Sequence, residues 1–174
     1  MTSIPFQALC QYDAAIQKNR RSSACGPTAV ASIMAFYDGH YPPIDELYQS
    51  LFCTAIGLSS TMLLRRAKQA LGESWHSAKI GVVEMLSDLS FDLPVLAKFD
   101  RYSTLQFWRR PYFAYHWVVV VGYELLEHTL HLIVEDLGTP NGASTLHRIP
   151  FRDNAHALTL IRLQPVSISS SNGI

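Results

Sequence analysis

Pro94 divides the sequence into two kinds of apolar pattern, and that division limits the folds open to it. Before it, apolar residues recur at helical spacing. Val30, Ile33, Met34 and Tyr37 follow Cys25 and stop at Asp38-Gly39, while Ile44, Leu47, Tyr48 and Leu51 follow the Pro42-Pro43 pair. Leu63, Leu64, Ala67, Ala70 and Leu71 lie between a Ser59-Ser60 cap and Gly72, and a shorter helix is expected over Val82–Leu89. After Pro94 come short runs rich in β-branched residues: Val95–Phe99, Tyr115–Leu125, Leu130–Glu135, Ser144–Ile149 and Ala157–Leu163. Helices followed by strands predict an α+β domain with a mainly antiparallel sheet. Residues 1–166 are expected to form this one domain, with 167–174 as a flexible, serine-rich tail.

Fourteen basic and fourteen acidic residues cancel, so no net positive field would draw the protein to a phosphate backbone, and nucleic acid is not an expected partner. The most apolar stretch, Trp117–Val121, is soon broken by Gly122 and Glu124, far short of the about 18 apolar residues that a membrane span requires. The first residues show neither a basic region nor an apolar core of the export-signal kind. A cytoplasmic setting is therefore expected, or secretion by a route without a classical signal peptide. The oligomeric state is left open. Cys10, Cys25 and Cys53 are odd in number and lack Cys-x-x-Cys spacing, which argues against a disulfide framework and against structural zinc. His128 and His131, three apart on a strand, would face opposite sides, so no metal or other cofactor is expected.

Among the cysteines, Cys25 has the informative surroundings, because Gly26-Pro27-Thr28 and a strongly patterned helix come directly after it. Its sulfur is expected at the helix N-terminus, where unpaired N–H groups and the positive end of the dipole lie. A free thiol with a pKa of about 8.5 is only a few per cent ionised at neutral pH. The helix end contributes about 0.3 to 1 kcal/mol, whereas one pKa unit is worth about 1.36 kcal/mol, so a nucleophilic Cys25 needs a histidine partner as well. Cys53, after Leu51-Phe52, and Cys10 read as small buried hydrophobes.

His116 opens the apolar run Trp117–Val121, where a strand would hold its ring in place. Asp136 ends the next run. A hairpin turning near Glu127–Thr129 would bring these two ends together, so that the carboxylate could accept the imidazole N–H and fix its tautomer. Glu135 would point to the opposite face. His40, His76, His147 and His156 carry no contextual signal, and the aromatic stretch from Asp100 to Ala114 has no fixed orientation that would separate cleft lining from ordinary packing.

Four stretches together carry a resemblance: Ile4-Pro5-Phe6 to Gln11-Tyr12-Asp13, Ala24-Cys25-Gly26-Pro27-Thr28, His116-Trp117 through Gly122-Tyr123, and Val134-Glu135-Asp136. In this order they resemble the papain-like cysteine peptidase superfamily, especially the bacteriocin-processing, double-glycine leader peptidases and their stand-alone relatives. The resemblance implies a papain-like fold and a peptide or protein substrate. It also implies a Cys25–His116–Asp136 triad in which Gln11, or failing it Gln17, donates to the oxyanion. Leu137 stands where relatives often have proline and Tyr115 where many have glycine, which would narrow the cleft. The same triad serves peptidases, glutamine deamidases and acyltransferases, and a papain-like scaffold can also act as a non-catalytic binding module.

Overall fold

The computed structural model describes residues 2–106 and 108–169. Helices α1 (Cys25–Asp38), α2 (Ile44–Ser50) and α3 (Ser60–Leu71) come first, then strand β2 (Trp75–Ile80) and helix α4 (Val82–Ser90). Strands β3 (Val95–Asp100), β4 (Tyr115–Leu126), β5 (Thr129–Glu135), β6 (Leu146–Pro150) and β7 (Leu158–Pro165) come next, with short helices α5 (Phe151–Asn154) and α6 (Val166–Ser169) beside β7 in the sequence. A two-residue strand, β1 (Thr2–Ser3), precedes them all. The sheet runs β2-β7-β3-β4-β5-β6, with β1 also paired to β4, and each pairing is antiparallel. This is the α+β arrangement expected from the change of pattern at Pro94, and it is consistent with the papain-like fold that the resemblance implies. Of the tail expected from Ser167, residues 170–174 lie outside the described residues, as does Phe107 of the aromatic stretch.

Helix α1 packs on β4 and β7, and every residue from Cys25 to Met34 is buried. A helix hydrophobic on all sides belongs in a core. It stops at Gly39, whose φ of 64° is left-handed and whose N–H returns to the Ala35 carbonyl. Ser59 caps α3 by accepting the Met62 N–H at 3.1 Å. Strand β2 interrupts the expected order of helices, then strands. Among the described residues it pairs only with β7, at the sheet edge, and its sequence Trp-His-Ser-Ala-Lys-Ile has one β-branched residue.

The β4–β5 hairpin closes between Leu126 and Thr129 through Glu127 and His128, both at positive φ. Beyond the pairing of Val119 with Glu135, the end of β5 leaves the sheet, and Asp136 N–H bonds to the Thr145 carbonyl. β4 continues alone on that side toward its start at Tyr115.

Candidate active site

Cys25 is the first residue of α1, only 4% exposed, with no side-chain cap on the helix start. The chain fixes that start tightly: a Cβ on Gly26 would lie 2.6 Å from Leu58 Cβ, so any side chain there would displace Leu58. The Leu58 carbonyl in turn accepts both the Tyr115 hydroxyl at 3.1 Å and the Trp117 indole N–H at 2.9 Å. Leu58 therefore ties the start of α1 to the start of β4. Burial pushes the Cys25 thiol up, and the backbone N–H groups of Trp117, Gly26 and Cys25 itself pull it back, as does the charge of Lys98. The sulfur thus lies against the backbone of the residue next to His116.

Lys98 gave no signal in the sequence beyond a charge inside an apolar run. It is 4% exposed, bonds Asp100 at 2.7 Å and lies 4.6 Å from the centre of the Tyr115 ring. Asp100 also accepts the N–H groups of Tyr102 and Ser103, so this part-buried pair anchors the start of the aromatic stretch. The Tyr115 ring packs on Gly57, where a Cβ would meet it at 2.7 Å.

Alternate side chains of β4 take opposite faces. Tyr115 and Trp117 turn toward Leu58, whereas His116 is paired with Phe99 and packs 4.9 Å from the Phe113 ring. Burial lowers the His116 pKa to about 4, the charge of Asp136 raising it and that of His147 lowering it further. Among the described residues no hydrogen bond joins Cys25 to His116 or His116 to Asp136.

Asp136 is 7% exposed, and its carboxylate is fully engaged. Oδ1 accepts the N–H groups of Gly138 at 2.9 Å and Thr145 at 3.2 Å, and Oδ2 accepts the Thr145 hydroxyl at 3.2 Å. His147 Nε2 is 2.8 Å from the same Oδ2. Burial works to raise this carboxyl, but the bonds from Gly138, His147 and Thr145 outweigh it and hold it below the usual carboxylate range. Glu135 serves other groups, accepting from the Ala8 N–H and the Ser144 hydroxyl, each at 2.8 Å.

Gln11, 4% exposed, is fastened at the backbone to Leu137 by a 2.8 Å bond from its N–H. Its side-chain Nε2 donates to the Arg21 carbonyl at 3.1 Å, which leaves the second amide hydrogen, and its Oε1 is buried without a partner among the described residues. Gln17 instead binds through its backbone N–H to Asp45 Oδ2 at 2.9 Å. Among the described residues no group of three or more histidine, cysteine, aspartate or glutamate side chains is arranged to hold a metal ion. No helix among them is long and apolar enough to cross a membrane.

The residue that sequence reasoning missed is His147. It sits on β6 opposite Val134, and the hairpin between β5 and β6, turning through Thr139–Gly142, would have aligned it with the end of β5 had the register been traced. The family model described as the Peptidase_C39 like family matches residues 4–159, a span that contains Gln11, Cys25, His116, Asp136 and His147. No curated protein matches the sequence.

Proposed function

The chain belongs to the Peptidase_C39 like family, and so is related to the papain-like cysteine peptidase superfamily with its peptide or protein substrates; on that basis we propose that residues 1–166 form one catalytic domain that cleaves a peptide or amide bond through Cys25, His116, Asp136 and Gln11. The His116 ring closes on the sulfur and takes its proton. Cys25 then attacks the carbonyl carbon, and the Cys25 N–H with the free Gln11 amide hydrogen receives the developing oxyanion. A donor of this kind contributes about 2.7 to 4 kcal/mol. Imidazolium returns the proton to the leaving amine, and water, deprotonated by His116, releases the acyl group from sulfur.

The observation that carries this reading is the seat of the Cys25 sulfur at the first residue of α1, against the Trp117 backbone and one residue from His116. Each partner is held neutral by burial when alone, so the proton transfer has to create thiolate and imidazolium together, each stabilising the other. Catalytic hydrogen bonds that are long in a substrate-free site commonly tighten when substrate binds.

A peptide vinyl sulfone library tests the reading by intact mass and peptide mapping. One adduct is expected, on Cys25 and not on Cys10 or Cys53. An adduct on either of the other two alone, or none at any library concentration, would point to a binding module that keeps the scaffold without its chemistry.

A further inference from the structure

An ionised carboxylate offers about four acceptor positions, two on each oxygen. Asp136 has filled all of them without His116: Gly138 and Thr145 N–H groups on Oδ1, the Thr145 hydroxyl and His147 Nε2 on Oδ2. Two of these donors, the Gly138 and Thr145 N–H groups, move only with the backbone, and the Thr145 hydroxyl turns about a single side-chain bond beside them. His147 reaches in from β6 on a longer side chain and can leave by rotation. It is 24% exposed.

Its far side is held as lightly. His147 Nδ1 lies 3.0 Å from the Tyr112 hydroxyl, and Tyr112 is 52% exposed on the stretch before β4. With hydrogen on Nε2 the ring donates to Asp136, with the Thr145 hydroxyl also 3.0 Å from that nitrogen, and accepts from Tyr112 on Nδ1. The Phe113 ring is 4.9 Å from the His116 ring and 5.8 Å from the His147 ring, so both imidazoles pack against the same aromatic side chain. The titratable side chains facing His147 are Asp136 from the end of β5, Tyr112 from the stretch before β4 and His116 from β4.

We propose that His147 is a positioning residue for the triad: it occupies the Asp136 acceptor position that His116 needs, and its release passes that position to His116. This role rests on the triad reading above, with Asp136 as the group that orients His116. Tyr112 gives the release a route to the cleft, since a ligand that draws Tyr112 away removes the outer partner of His147.

Long-range proton–nitrogen NMR of the full chain reads the ring nitrogens and the pKa of His116 directly. His147→Ala should raise the His116 pKa by at least about one unit and give one ring nitrogen the shift of a donor to carboxylate. His147→Gln is uncharged, yet its amide can fill Oδ2, and it should leave His116 near the native value. Adding Asp136→Asn to His147→Ala should cancel the rise. An equal rise in the alanine and glutamine variants would mean that only the charge of His147 matters, and no rise in the alanine variant would mean that Asp136 is not handed over; either overturns the proposal. If the alanine variant does not fold, Tyr112→Phe serves in its place, with a smaller rise expected and no change counting against it. Because these readings concern His116 and Asp136 alone, an inert Cys25 in the vinyl sulfone experiment would sink the enzyme reading without altering them.

Discussion

Cys25→Ala lowers the turnover of any peptide that the native protein cleaves by at least about 10⁴-fold, whereas Cys10→Ala and Cys53→Ala stay within a few-fold of native. The difference arises from where the three sulfurs sit. Cys53 donates to the Ser23 carbonyl at 3.4 Å, and burial with the neighbouring Cys25 pushes its pKa up to about 12, so it stays a thiol. Cys10 donates to the Gly142 carbonyl at 3.9 Å, away from the start of α1. Cys25 has the backbone N–H groups of Trp117, Gly26 and its own residue turned to its sulfur, and a buried cation, Lys98, acting on it. Kinetics on a peptide drawn from the vinyl sulfone library check this, and residual turnover within tenfold of native in Cys25→Ala contradicts it.

Trp117→Ala costs about 3 to 5 kcal/mol of folding stability, the usual range for removing a fully buried aromatic side chain. Trp117 has no exposed surface and lies in the core, on the strand that packs against α1. Trp117→Phe keeps most of that volume and loses the indole bond to Leu58. The Leu58 carbonyl retains the Tyr115 hydroxyl, so this change costs about 1 kcal/mol. Urea melts of the three proteins separate the two contributions. Equal losses in both variants would show that the bond to Leu58, and not packing, holds the start of α1 against β4.

Most of the architecture could be read from the sequence because its elements are long and buried on a regular period. Helix α1 and strands β3, β4 and β5 lie in the core, and their apolar residues keep to the periods that burial imposes. Strand β2 escaped because an edge strand needs only one good face: Trp75 is buried, but His76, Ser77, Ala78 and Lys79 are exposed or half-buried. His147 escaped for the same reason, lying on the edge strand β6 between exposed Leu146 and Arg148. Lys98 left no sign because its partner Asp100 and the Tyr115 ring become neighbours only when β3 pairs with β4. At the site, Cys25 and His116 were legible because the residues immediately after each of them form a patterned helix and an apolar strand. The partners of Asp136 depend on the return of the chain through Thr145 and His147, a non-local pairing that no short motif encodes.

Ionisation of Cys25 by His116 is probed most directly by the pH dependence of iodoacetamide alkylation at Cys25, read by mass spectrometry in native protein and in His116→Ala. A thiol with a pKa of about 8.5 is ionised to about 3% at pH 7, and burial takes Cys25 higher still, so loss of the imidazole should slow alkylation at pH 7 by at least about 30-fold. Native Cys25 is expected to react with an apparent pKa below about 7, and His116→Ala to move it above about 8. Matching profiles in the two proteins, both rising only above about pH 8, would contradict a thiolate held by the imidazole.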